Sequence, residues 1–426
     1  MAQDSYNDGN RMVPMLAYEE ALQRVLDRAE PLPARPVPLM EALGLVAAEA
    51  IRSLEPVPPF TNSAMDGFAV RAADCAAATR ERPARLPLAG MIPAGQGSAP
   101  DLGPGTAVRI MTGAIVPAGA DSIVPVEEAS AGAAGWLEVS APVRLGAHIR
   151  LAGEDIPAGG LVLPRGTVLR PAEIGVLAAI GAARAPVHPR PRVAVLTTGD
   201  ELVDAGTRPG PGQIRDANIH SLCAQVRAAG AVAVPWARIP DRREAIEEAL
   251  GRALAGADLV LTNGGVSVGD FDYIKDVLAG LGAEQVFWRV AQKPGGPLGL
   301  WALQGRLVFG IPGNPVAAML MFEEYVRPAL RRMLGFSHLH RPVRTGILDA
   351  PWRKHGPDGR LAFLRVTARP MDQDGRLGVA LTGPQGSGLL SSMMRANALA
   401  LMPAEVLAVP AGGEVLLHLI DEPEDH

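Results

Sequence analysis

The sequence predicts a multidomain protein of the α/β plus β class. A central α/β domain with a mostly parallel sheet is preceded by an inserted β-rich domain and followed by a further β domain. Three observations carry this. Between residues 192 and 330 apolar runs alternate with amphipathic stretches, the pattern of a parallel sheet covered by helices. Residues 56–150 hold short apolar runs broken by Gly, Pro and Asp, the texture of a small β-rich domain. After Gly335 the alternation stops; strand-like runs at 363–366, 377–381 and 415–420, separated by Gly and Pro turns, suggest a small barrel or sandwich.

In chain order, residues 1–14 are expected to form a disordered tail. Leu16, Leu22, Val25, Leu26 and Ala29 then make a helical stripe that ends before Pro31, and a second helix is expected over residues 39–51. Pro56-Val57-Pro58-Pro59-Phe60 cannot continue a helix and marks a boundary. Ala107-Val108-Arg109-Ile110 and Asp121-Ser122-Ile123-Val124-Pro125-Val126 read as apolar runs of the β-rich domain spanning 56–150. Residues 151–185 combine Gly-Pro turns with a helix-like stretch at 172–180, so that 15–55 and 151–188 are expected to complete one discontinuous domain. The α/β domain is expected over 189–335, with strands at 193–196, 231–234, 259–261 and 307–309. Its helices fall near 219–229, over 242–254, from Tyr273 and over 316–330; residues 336–426 form the last domain.

Composition narrows the function. With 426 residues, 48% hydrophobic and 20% charged content and a formal net charge of −5, the chain lacks the global basic bias of a nucleic-acid coat. Cys75 and Cys223 show no metal-ligand spacing, which fits a reducing cytoplasm. No apolar run reaches the roughly 18 residues of a membrane span, and residues 1–13 lack an apolar signal core. Lys275, Lys293 and Lys354 are the only lysines beside 37 arginines, so a retained lysine points to a need for a compact ammonium rather than a planar guanidinium.

The chemistry concentrates in one loop. The apolar run 258–262 opens into Asn263-Gly264-Gly265-Val266-Ser267-Val268-Gly269-Asp270-Phe271-Asp272 before a helix. Glycines there let backbone N–H groups approach a phosphate. Two carboxylates beside a phosphate would repel it unless a divalent cation lay between them or they served the chemistry. Ligands of open α/β sheets bind beyond the carboxyl ends of the strands. Thr197-Thr198-Gly199-Asp200-Glu201-Leu202 and Gly310-Ile311-Pro312-Gly313-Asn314-Pro315 occupy the same kind of position, with Asn314 as a natural N-cap before Pro315. Each segment alone also reads as an ordinary turn, and either Asp270 or Asp272 could cap the helix after the loop. Gln292-Lys293-Pro294-Gly295-Gly296-Pro297 offers a lysine as a point charge in a rigid loop.

Taken in order, Ser63-Ala64-Met65-Asp66-Gly67, Met111-Thr112-Gly113-Ala114, Gly153-Glu154-Asp155, Thr198-Gly199-Asp200-Glu201-Leu202, Gly264-Gly265-Val266-Ser267-Val268-Gly269-Asp270, Lys293-Pro294-Gly295 and Gly310-Ile311-Pro312-Gly313-Asn314-Pro315 resemble molybdopterin molybdenumtransferases. These are the molybdenum insertases of molybdenum cofactor biosynthesis, relatives of the gephyrin C-terminal domain. The resemblance covers nearly the whole chain from Leu16. It implies a molybdopterin-binding type of α/β domain, a C-terminal β-barrel-like domain, and insertion of molybdate into adenylylated molybdopterin with release of AMP. Mg²⁺ is the implied cofactor, and Glu201 and Asp272 its candidate ligands. Asp66, Asp155, Glu201, Asp241 and Asp272 match the family's catalytic positions. Thr112, Gly264, Gly265, Ser267, Gly269, Asp270, Lys293, Gly313 and Asn314 match substrate contacts. Gly296 stands where the family has a second lysine, and Asp241 is followed by Arg242 rather than by a second acid. The resemblance also implies a homodimer with sites shared between chains, and a molybdopterin adenylyltransferase and recipient molybdoenzymes as partners. A molybdopterin adenylyltransferase, which has a similar Gly-Gly loop, and a non-enzymatic gephyrin-like scaffold are the rival readings.

Overall fold

The computed structural model describes residues 5–8, 11–132, 135–265, 273–371 and 376–421. The chain forms two compact units, one of residues 1–35, 44–48 and 187–426, the other of residues 36–43 and 49–186.

The first unit is built on a six-stranded sheet. Its order is Val232–Ile239, Arg192–Thr198, Leu259–Asn263, Arg306–Ile311, Gly299–Leu303, Glu284–Trp288. The first four strands are mutually parallel and the last two join by antiparallel pairing, so the sheet is mostly parallel as the sequence predicts. Alternate residues of each strand feed opposite layers. Val193, Val195, Leu259, Leu261 and Phe309 pack against the helix Ala217–Ala228 and the helical run 315–333. Ala194, Leu196, Val260 and Val308 pack against the helices Arg243–Gly256 and Tyr273–Gly280. The predicted N-terminal helix is Tyr18–Arg28, and it places Tyr18, Ala21 and Val25 in the first of these layers. Ahead of it, Ser5–Asp8 pairs antiparallel with Arg11–Pro14.

The run 315–333 is not a uniform α-helix. Pro315–Met321 and Arg327–Met333 are α-helical, and Phe322–Val326 between them is a π-turn in which all five residues are buried.

The C-terminal domain resolves the barrel-or-sandwich alternative. Leu361–Pro370, Leu377–Leu381, Val343–Leu348, Glu414–Leu419 and Ala398–Met402 pair in sequence, and the last pairs back to the first, closing a five-stranded barrel. Its interior holds Leu348, Leu364, Val366, Val379, Ala400 and Leu417. The two-residue strand Gln292–Lys293 adds to the start of Leu361–Pro370 in parallel.

The second unit contains the predicted β-rich region as a six-stranded sheet of order Ser122–Pro125, Gly67–Val70, Ala107–Ile110, Ala84–Ile92, Trp136–Val139, Ala129–Gly132. Both faces are buried, one with Phe68, Val70, Leu86 and Leu137, the other with Ala69, Val108, Ile110 and Ile123. The helix expected at 172–180 is Pro171–Ala179.

The helix expected over 39–51 does not form. Leu39–Glu41 is a single 3-10 turn, Gly44 takes φ +75°, and Val46–Ala47 and Ile51–Arg52 are extended. A helix would have left Leu45, Val46 and Ala47 on different faces. The glycine instead turns the chain so that all three are buried, with Val46 and Ala47 paired to His188 and Val187.

Candidate functional site

The carboxyl ends of three parallel strands surround a cavity of about 500 Å³, within the roughly 300–1,000 Å³ range of small-molecule sites. Arg192–Thr198 runs into Gly199 and Glu201, Leu259–Asn263 into Gly264 and Gly265, and Arg306–Ile311 into Gly313 and Asn314. All of these residues line the cavity, as does Asp241 after the edge strand Val232–Ile239. Glu201, Asp241, Gly264, Gly265, Gly313 and Asn314, predicted from separate stretches of sequence, thus line one cavity. Ser267, Gly269, Asp270 and Asp272 lie outside the described residues.

Hydrogen bonds stitch these loops together from below. Asp216 caps the helix Ala217–Ala228 by accepting from Ile219 N (3.0 Å), and accepts the Thr197 hydroxyl at 2.6 Å. Asn218 Nδ2 donates to Asn263 Oδ1 (2.8 Å) and to Gly313 O (2.6 Å), while Asn263 Nδ2 donates to Pro312 O (2.8 Å). One amide relay therefore links the helix start to the ends of two strands. Neither Asp216 nor Asn218 is singled out by the sequence reading. The Asp-x-Asn pattern ahead of an apolar helix was the available signal, a capping acid with a second amide one residue inside the helix.

Positive φ and close neighbours explain two of the glycines. Gly264 has φ +91°, and a Cβ there would meet Thr198 O at 2.8 Å; Gly199 has φ +147°, and a Cβ would meet the Glu201 carboxylate at 2.6 Å. Asn314 occupies the N-cap position, but its side chain makes no cap bond, contrary to the sequence-based expectation. Pro315 is the first helical residue, and Asn314 lines the cavity with its carboxamide not engaged by the helix.

The acidic rim is electrostatically crowded. Burial, followed by the charges of Asp200 and Glu201, holds the Asp241 carboxyl above the usual carboxylate range. The Thr198 hydroxyl opposes part of that shift, yet it has no bond of full geometry among the described residues. Among the described residues no three His, Cys, Asp or Glu side chains form a metal-ligating group. Mg²⁺ commonly takes one or two carboxylates and leaves its other positions to phosphate and water, so the crowded Glu201–Asp241 rim fits such an ion.

In the second unit, Asp66 and Thr112 come together. Asp66 Oδ1 accepts the backbone N–H and the hydroxyl of Thr112, both at 2.7 Å, and these bonds, the backbone one first, hold its carboxyl below the usual range. The turn carrying Asp66 is braced by Ser63 N to Ala114 O (3.0 Å), Gly113 N to Ser63 O (2.8 Å) and Ala64 N to His148 O (2.9 Å). Asp155 is exposed, its N–H bonded to Val57 O at 3.1 Å. Lys293 is exposed on the short strand Gln292–Lys293 and is not among the residues lining the cavity.

Three family models match successive parts of the chain. Residues 16–181 match the MoeA N-terminal region (domain I and II), 194–332 a probable molybdopterin binding domain, and 345–420 the MoeA C-terminal region (domain IV). The chain is 41% identical over 387 residues to molybdopterin molybdenumtransferase 2 of Mycobacterium tuberculosis, covering 89% of this chain and 93% of that protein. It is 34% identical over 407 residues to the molybdopterin molybdenumtransferase of Bacillus subtilis, covering 95% and 94%. The crystal structure of a molybdopterin biosynthesis MoeA protein from Pyrococcus horikoshii superposes with a TM-score of 0.80 at 30% identity, covering 96% of this chain and 100% of that one. With three family models, its relatives and its fold in agreement over nearly the full length, this chain belongs to the MoeA family of molybdopterin molybdenumtransferases.

Proposed function

We propose that the cavity of the α/β domain binds adenylylated molybdopterin and that the protein inserts molybdate into it with release of AMP. The observation that carries this reading is the convergence of three strand-end loops on one cavity, whose lining combines glycines with the carboxylates of Glu201 and Asp241. Glycine backbone suits phosphate oxygens, and the acidic rim suits a divalent cation bridging to them. Mg²⁺, held by Glu201 together with Asp272, would neutralise charge on the phosphoanhydride as it is cleaved. The chain's own groups do the rest. Gly264 and Gly265 accept close approach of the ligand, the amide relay fixes their height, and Lys293 supplies a point charge to an oxyanion. Molybdate is a substrate here, and the Thr112 hydroxyl, which donates to Asp66, would serve it by giving up that bond.

We further propose a cytoplasmic homodimer in which Asp66 and Asp155 serve the site of the opposite chain. Among the described residues no helix is long and apolar enough to cross a membrane. The test is AMP release from adenylylated molybdopterin and molybdate. Glu201→Ala and Asp272→Ala are expected to fold, to bind substrate and to release little AMP. Mixing inactive Asp66→Ala chains with inactive Asp272→Ala chains is expected to restore part of the activity, because one of the two sites in each heterodimer carries neither lesion. Wild-type turnover by the single variants, or formation of adenylylated product from ATP and molybdopterin, would overturn the proposal.

A further inference from the structure

Lys293 stands apart from the other two lysines. Lys354 bonds to Asp358 at 2.7 Å and to Arg360 O at 2.8 Å, and Lys275 lies 5.8 Å from the centroid of the Trp288 ring. Lys293 is exposed and has no ion-pair partner among the described residues. Its backbone, by contrast, is held from several directions. Gln292, the residue before it, is fully buried, and its Oε1 accepts the Tyr325 hydroxyl at 2.5 Å. Gln292 Nε2 points to Met321 Sδ at 2.7 Å and turns toward Gly295 O at 3.4 Å, across the loop that contains Lys293. Gly295 has φ +93° and packs so closely that a Cβ would meet Met321 Cε at 2.6 Å. Val290 N–H donates to Gly296 O at 2.9 Å, closing the base of the loop.

Met321 and Tyr325 belong to the helical run whose first residues, Asn314 and Pro315, line the cavity. Tyr325 lies within the π-turn. The extra residue of such a turn rotates the next part of the helix by roughly one helical position, and π-turns recur at functional sites. Here the turn buries three consecutive polar residues toward three different partners. Glu323 faces Arg341 (3.0 Å), Glu324 faces Tyr18 (2.6 Å) and Tyr325 faces Gln292.

From this we infer that Tyr325 and Gln292 are positioning residues for Lys293, the π-turn hydroxyl fixing the loop from which the ammonium reaches the substrate oxyanion. The inference rests on the proposed insertase reading, in which Lys293 contacts substrate. A lysine stem is flexible, so only a fixed backbone confines its charge to one place.

The test is a cycle on the full-length protein, read as AMP release from adenylylated molybdopterin and molybdate. Tyr325→Phe in the parent is expected to slow release about tenfold to a hundredfold, the scale of a misplaced catalytic group. In a Lys293→Ala background the same change is expected to add less than about twofold, because the group being positioned is gone. A merely structural hydroxyl would lower both backgrounds alike, which overturns the inference. Tyr325→Phe combined with Gln292→Leu removes the unpaired Gln292 acceptor and gives up only the long 3.4 Å bond to Gly295 O, so its thermal midpoint is expected to recover in part while release stays slow. Parent-like release by that double variant also overturns the inference. Parent-like release by Lys293→Ala alone overturns instead the reading of Lys293 as a substrate contact, and is thereby told apart.

Discussion

Asp66 and Asp241 show how two residues of one type acquire opposite tendencies. Asp66 gains two bonds from Thr112, and its folded-state pKa is lowered. Its contribution is therefore present above the unfolded carboxylate value and is lost only as pH falls through the lower, folded one. Thr112→Val keeps the backbone donor and removes the hydroxyl. A carboxyl NMR titration is expected to find Asp66 moved part of the way back toward the ordinary range, and an unmoved midpoint would refute a role for the hydroxyl. For Asp241 the sign reverses. Its folded-state pKa is raised by burial, then by Asp200 and Glu201, so the stability tied to its proton is present below the unfolded value and lost as pH rises through the folded one. Glu201→Gln removes one of the repelling charges, and is expected to lower the Asp241 pKa and raise the thermal midpoint near pH 7 while AMP release falls, the trade expected of a strained site. A drop in both midpoint and activity would show that Glu201 is structural.

The elements differ in how they depend on glycine. Gly264 combines φ +91° with backbone 2.8 Å from where a Cβ would sit, whereas a Cβ on Gly313 would meet nothing closer than Gly264 Cα at 3.9 Å. Gly264→Ala is expected to deform the loop and abolish ligand binding, and Gly313→Ala to bind AMP within about threefold of the parent, a difference under ~1 kcal/mol. Equal binding by the two variants, measured by calorimetry, would contradict this. The same contrast explains what the sequence made legible. The strands 192–198, 259–263 and 306–311 were found within a few residues because runs buried on both faces are continuously apolar. Their loops followed as the site. The helix expected at 39–51 failed because one positive-φ glycine outweighs a run of residues with good helix propensity. The π-turn was invisible for a different reason. Nothing in the sequence marks Glu323 and Glu324 as buried, yet both are, and the partners that satisfy them, Gln225, Arg341, Tyr18 and His418, are remote in sequence or contributed by other elements. The Asn218–Asn263–Gly313 relay was hidden likewise, since each bond joins loops separated by 45 residues or more.

At the scale of the first unit, Glu324 is the point where three substructures meet. It accepts the Tyr18 hydroxyl of the N-terminal helix at 2.6 Å and lies 3.0 Å from His418 Nδ1 of the barrel. Edge-on contacts of Tyr18 with Tyr325 and Phe363, at 5.7 and 5.4 Å, surround this bond with aromatic packing. Glu324→Ala leaves the buried Tyr18 hydroxyl without an acceptor and opens a void, and is expected to cost about 3 kcal/mol or more in chemical denaturation. Glu324→Gln keeps an acceptor for Tyr18 and is expected to cost less than half as much. Equal losses would show that volume alone matters at this junction. The barrel carries a separate consequence for how such a protein can change in length. Within ten residues, Leu361–Pro370 is paired with Gln292–Lys293 at its start, with Ala398–Met402 in its first half and with Leu377–Leu381 in its second. A one-residue insertion between Ala362 and Val366 would exchange the inward and outward rows of the barrel beyond it. It would also offset the barrel rows by one residue from the Leu361–Ala362 pairing that holds the lysine-bearing strand. Insertions and deletions are thus confined to the connecting turns, and this strand acts as the fixed ruler from which both the barrel and the Lys293 loop are measured.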